Sequence, residues 1–186
     1  MADGFIPAHG GYQKLLSYQR AEVVYDATVR FCERYFDPRD RTVGQMVQAA
    51  RSGKQNIVEA SMASGTSKEM EIKLTNVARA SLEELLTDYR DFMRLRGIPE
   101  WPRDHPYARR LAQLARTPNA NYETFRKAVE HPQPAIAANA IAGLIKIASY
   151  LLDRQIRQLE QAFLQQGGLR ERMTRARLDL RNRQPR

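Results

Sequence analysis

Apolar residues recur along this chain at three- and four-residue spacings, and no strand-like alternation runs longer than four residues. That pattern predicts an almost entirely α-helical fold. A first helix is expected from about Tyr12 to Phe36, with Leu15, Leu16, Val23, Ala27, Phe31 and Tyr35 on its inner stripe. Asp37-Pro38 ends it, because proline disfavours helical geometry in the residue before it. A second helix is expected from near Thr42, where Thr42 and Gln45 have capping-box spacing, with Val43, Met46, Val47, Ala50, Ile57 and Val58 turned inward. Gly53 costs roughly 1 kcal/mol inside a helix relative to alanine. It marks either a close approach by another helix or a tolerated weak residue.

A third helix is expected from about Ser67 to Arg96, after a break in which Thr66 and Glu69 repeat the capping spacing. Its expected core ladder is Met70, Leu74, Val77, Ser81, Leu85, Tyr89 and Phe92, with Ala78, Leu82 and Met93 beside it. Gly97 stops it. Residues 98–134 hold six prolines and two short helical patterns, about Tyr107–Arg116 and Asn121–Glu130. A fourth long helix begins at Pro134, a residue suited to the first helical position, and runs to about Gln165 along Ile136, Ala140, Leu144, Ile147, Leu151, Leu159 and Phe163. The fold class expected is all-α: an antiparallel up-down four-helix bundle over residues 1–168, interrupted by an insert at about 98–134 and followed by an arginine-rich tail, 169–186. No internal repeat is visible.

Charge adds a second layer. The net charge is +9, and residues 169–186 carry +5 of it, from seven arginines against Glu171 and Asp179. With few large apolar residues (Leu169, Met173, Leu178 and Leu180), this tail is expected to be mobile or only partly helical. It is either a polyanion-binding arm or a solvated tail that aids solubility. No apolar run approaches the roughly 18 residues of a membrane-spanning helix, and no secretory signal is visible before Gly11. A soluble, cytoplasmic protein without a membrane partner is therefore expected. The single cysteine, Cys32, sits in an apolar helical pattern and reads as a buried small hydrophobe.

Candidate chemistry is sparse. His9, His105 and His131 are scattered, and neither Glu-x-x-His pairs nor zinc spacings occur, so no metal and no cofactor is expected. Gly53-Lys54 lacks the partner glycine of a phosphate-binding loop, since position 48 is Gln48. No catalytic residue is assigned and an enzyme is not expected. Asn56, Glu59, Asn76 and Glu83 follow helical spacings on the second and third helices. They form either a polar network that fixes helix register, a solvated face, or a carboxylate site. Arg51, Lys54, Lys68, Lys73 and Arg79 lie on the same helices. They form either a phosphate-contacting surface or ordinary solvated charge.

The stretch Arg41–Ala60, containing Ser52-Gly-Lys-Gln-Asn56-Ile-Val-Glu59, resembles the second helix of the four-helix-bundle proteins encoded in 23S ribosomal RNA intervening sequences. So do Thr66-Ser-Lys-Glu69 and Ile72–Leu85 with its Ala-x-x-Ser-Leu-x-Glu pattern. The Ser52–Asn56 variant and the C-terminal extension are similar to the suffix-domain subgroup. The resemblance covers about residues 12–98. It implies an up-down bundle and a ring-shaped homo-oligomer, typically a pentamer. It also implies kinship with the accessory variability protein of diversity-generating retroelements, which is basic, binds nucleic acid and works with a reverse transcriptase. The family names no catalytic residue. The expected function is a nucleic-acid-binding, RNA-directed, non-catalytic accessory or chaperone protein acting as an oligomeric basic scaffold. Its expected binding residues are Arg51, Lys54, Lys68, Lys73, Arg79, Arg170, Arg172, Arg175, Arg177, Arg181 and Arg183. The alternative is a protein-interaction scaffold that docks an acidic partner.

Overall fold

Capping residues, prolines and glycines set the helix ends in the computed structural model, which describes residues 6, 9–117 and 119–183. The last arginine of the tail, Arg186, lies outside the described residues. A single 3-10 turn, Tyr12–Lys14, leads into α1 (Leu16–Tyr35). Helix α2 spans Arg41–Ala63 and is capped by Asp40, whose side chain accepts from the Thr42 amide. Helix α3 spans Lys68–Leu95 and is capped by Ser67, which accepts from Met70 N–H. These caps lie within one or two residues of the threonines that the spacing pointed to. The end of α3 is a Schellman turn: Gly97 has φ +64°, its amide donates to Arg94 and the Ile98 amide to Met93. Two short helices follow, α4 (Pro106–Ala115) and α5 (Tyr122–Val129), then α6 (Pro134–Gln166) and α7 (Leu169–Arg183).

Among the described residues the structure is all helix, turn and loop, with no strand. The long helices close a cycle: α1 packs on α2, α2 on α3, α3 on α6 and α6 on α1. Side-chain contacts tie α1 and α3 to α6. Ser17 near the start of α1 donates to Gln155 late in α6 at 2.8 Å, while Tyr35 at its end donates to the His131 carbonyl at 2.6 Å, just before α6 begins. Arg79 of α3 pairs with Asp153 of α6 at 3.4 Å. The core between them holds Val24, Phe31, Met46, Ile57, Leu82, Leu85, Tyr89, Leu144 and Ile145. Phe31 packs edge-on against Phe92 with ring centres 4.8 Å apart. Buried Tyr89 donates to Thr28 at 3.2 Å.

Gly53 is a point of close approach, as one of the two sequence alternatives held. A Cβ built there would lie 2.7 Å from Leu82 Cδ2 of α3. The N-terminal half of α3, in contrast, turns differently from its expected ladder. Met70 and Val77 are 47% and 45% exposed, and Glu71 and Thr75 face inward instead, beside Ala78, which is buried as expected. Those polar groups are satisfied: Glu71 pairs with Lys68 at 2.8 Å, and the Thr75 hydroxyl donates to the Glu71 carbonyl at 2.7 Å.

Helix α6 also corrects the expectation that no segment is apolar enough to span a membrane. By length and composition it is, with a mean hydropathy of 1.7 in its most apolar window. Yet 61% of that window is buried inside the chain, because α6 meets α1, α3, α4 and α5. A helix apolar on all sides is expected where neighbours surround it. Beyond Gln155 it outruns α1 by 11 residues, roughly 16 Å, and Leu164 there is 83% exposed.

The tail is more helical than the partly helical alternative held. Residues 169–183 form a regular helix with no buried residue. Leu, Arg, Glu, Met and Ala are good helix formers and neither glycine nor proline interrupts them. Its start is also capped: the Glu171 carboxylate accepts from the Gly168 amide at 2.8 Å.

Candidate nucleic-acid interface

The five cations expected to bind phosphate on α2 and α3 are not a free surface. Lys54 stands over the Tyr25 ring at 4.4 Å. Lys68 pairs with Glu71 at 2.8 Å, Lys73 with Glu69 at 2.6 Å, and Arg79 with Asp153. Arg79 also donates to Asn76 on its own helix at 2.9 Å. Of the five, Arg51 alone is exposed with no such partner among the described residues. Exposed pairs contribute about 0–1 kcal/mol to stability, but each carboxylate beside its lysine repels an approaching phosphate.

The polar residues of the same helices divide in a way the spacing did not reveal. The α2–α3 cross-link is Ser52 Oγ to Ser81 Oγ at 2.9 Å. Asn56 joins it by donating back to Ser52 Oγ at 3.1 Å. Glu59 and Glu83 are exposed. The expected network of Asn56, Glu59, Asn76 and Glu83 is thus replaced by a serine pair with Asn56 behind it. Serines are short enough to bridge where Gly53 lets the helices approach.

Helix α7 presents the densest free charge. Arg170, Arg175, Arg177, Arg181 and Arg183 are exposed and form no ion pair among the described residues. Helical spacing puts Arg170, Arg177 and Arg181 on one side and Arg172, Arg175 and Arg183 on another. Between the two lies a narrow apolar stripe, Leu169, Met173, Ala176 and Leu180. Glu171, one of two acids in this helix, is held at the Gly168 cap.

A second cationic region lies where sequence reasoning assigned no role, between α4 and α6. Its frame is built from one buried arginine and one buried asparagine. Arg20 of α1 is fully buried and donates to the carbonyls of Ala115, Ala120 and Thr117 at 2.9, 2.6 and 3.1 Å. It thereby binds the end of α4 and the loop before α5 to the bundle. Burial lowers its pKa. Asn139 of α6 accepts from Trp101 N–H at 2.7 Å and donates to the Pro99 carbonyl at 3.0 Å, fixing the loop after α3. A Cβ on Gly143 would lie 2.6 Å from Leu111 Cδ2, so the glycine lets α4 settle against α6. Neither Arg20 nor Asn139 was singled out from sequence. Each is a lone polar residue inside an apolar stripe, which was the available signal.

The result is an open groove of about 830 Å³ between α4 and α6. Arg103, Arg109 and Arg116 line it, exposed and with no ion pair among the described residues. Lys146 on its α6 wall pairs with Glu100, which also accepts from Arg90 at 3.2 Å. Burial pushes the Glu100 carboxyl up, but the Lys146 and Arg90 contacts outweigh it and hold the pKa low. Among the described residues no cluster of His, Cys, Asp and Glu is arranged to hold a metal ion. Set against protein-family models, curated proteins and solved structures, the chain matches none.

Proposed function

We propose that this chain is an antiparallel up-down four-helix bundle acting as a cytoplasmic, non-catalytic RNA-binding accessory or chaperone protein, and that it works as a homo-oligomer. The observation that carries the reading is α7, a helix without buried residues whose exposed arginines have no carboxylate partners among the described residues. Unpaired guanidiniums on an extended support attract phosphates without selecting sequence. The bundle's role is to hold that charge, together with the arginines around α4. The apolar stripe of α7 and exposed Leu164 favour self-association, because contiguous exposed apolar side chains gain from cover. An assembly places several α7 helices on one particle. A pentamer, and a reverse transcriptase as protein partner, are what the family resemblance adds to this reading.

The test compares RNA affinity for the full chain, a truncation after Gly168, and the triple variant Arg51→Ala, Lys54→Ala, Lys73→Ala. The truncation should weaken binding broadly. It should also flatten the logarithmic salt dependence by about 0.7–0.9 for every phosphate that α7 neutralises in the full chain. The triple variant should change little, since two of its three cations are already engaged. Equal affinities and slopes for full chain and truncation would move the protein-scaffold reading into first place.

A further inference from the structure

The groove between α4 and α6 combines features that α7 lacks. Alongside its three unpaired arginines it carries aromatic rings. Tyr150, on the α6 wall, is 60% exposed. Trp101, at the other end, is partly buried and stacks on His105 with nearly parallel rings 4.7 Å apart. Asn139, which fixes the Trp101 backbone, and Tyr150 are 11 residues apart on one helix, roughly 16 Å. That span is several times the ~3.4 Å that one nucleotide occupies along a duplex strand. Asp104 is the only carboxylate among the described lining residues.

Aromatic faces beside unpaired cations are what an unpaired nucleotide requires: a ring for the base and a charge for the phosphate. A duplex hides its base faces and can use only the charge. An acidic peptide would use the arginines but leave the rings idle. We infer that this groove seats a short single-stranded segment of RNA, with a base on Tyr150 and phosphates on Arg103, Arg109 and Arg116. The inference rests on the RNA reading above and divides its labour. Helix α7 holds phosphates of any RNA, and the groove selects the unpaired portion.

The groove reports on itself, because Trp101 is the only tryptophan in the chain. The experiment uses the full chain with three probes, a short oligouridine, an RNA duplex of equal length and uridine monophosphate, following affinity and tryptophan fluorescence. Three proteins are compared: the unaltered chain, Tyr150→Ala, and Arg109→Glu with Arg116→Glu. All three altered side chains are exposed, so circular dichroism should be unchanged. Oligouridine should alter Trp101 fluorescence and the duplex should not. Tyr150→Ala should weaken oligouridine binding by about ten-fold, within the range for loss of one base–aromatic stack, and leave duplex affinity unchanged. The double charge reversal should weaken oligouridine binding further and abolish the fluorescence change. Unaltered oligouridine affinity in both variants would overturn the groove while leaving α7 and the RNA reading intact. Uridine monophosphate binding as tightly as oligouridine would overturn it in favour of a free-nucleotide site. Failure of the unaltered chain to bind either oligouridine or the duplex would overturn both readings.

Discussion

Replacing Arg20 by methionine removes every donor from the joint between the bundle and the α4–α5 segment while keeping much of the side-chain volume. The guanidinium makes three bonds to main-chain carbonyls. Each such bond to a charged group is worth about 1.5–3 kcal/mol, and a buried carbonyl left bare costs about 1–3 kcal/mol. The sum is an upper bound. Burying the charge has its own cost, seen in the lowered pKa, and the Thr117 carbonyl also accepts from the Ala120 amide at 3.3 Å. A net loss of about 3–5 kcal/mol follows, well below the sum of the three bonds. Urea denaturation followed by circular dichroism measures it. Amide hydrogen exchange should locate it, faster across α4 and α5 and little changed in the middle of α2 and α3. Arg20→Lys should recover only part of the loss, because one ammonium does not reproduce the planar fork. A stability change under about 0.5 kcal/mol, the scale of an ordinary surface substitution, would refute the clamp.

Gly53→Val should destabilise the chain by about 1–3 kcal/mol by overpacking against Leu82, read as a lower denaturation midpoint; an unchanged midpoint would mean that the α2–α3 approach is loose. Glu59→Ala should shift stability by no more than about 0.5 kcal/mol, since the side chain is exposed, and a larger drop would restore a network role. Burial pushes the Cys32 thiol up to about 12 from an ordinary 9.0, so a thiolate-directed reagent should label the folded chain far more slowly than the unfolded chain. Because the folded pKa is the higher one, the thiol's contribution is intact below about 9 and disappears as pH rises toward 12. Denaturation midpoints across that window should fall less steeply in Cys32→Ala.

The long helices were legible because helical period, proline and glycine act locally. Pro134 opens α6 and Gly97 closes α3 as their chemistry requires. Cap identity was less legible. Asp40 and Thr42, or Thr66 and Ser67, are both competent caps, and the choice depends on where the chain leaves helical geometry. The inner face at the start of α3 was missed because Met70, Leu74 and Val77 are the more apolar set. Burial there follows the packing of neighbouring helices, with polar Glu71 and Thr75 satisfied inside α3 itself. The partners of the α2 and α3 cations were not legible for a similar reason, since sequence shows a lysine but not the carboxylate or ring it meets. The α4–α6 groove draws on residues from 101 to 150 in two helices and a loop. Only the fold brings them together.

The most direct test of the central claim is the salt dependence of RNA binding by the full chain. If the five exposed α7 arginines each neutralise one phosphate, the slope of log affinity against log salt should be roughly −3.5 to −4.5 from this helix alone. It should become much shallower when those five are changed to glutamine. Binding that does not weaken between about 50 and 200 mM salt, or a slope that the five substitutions leave unchanged, would contradict the account.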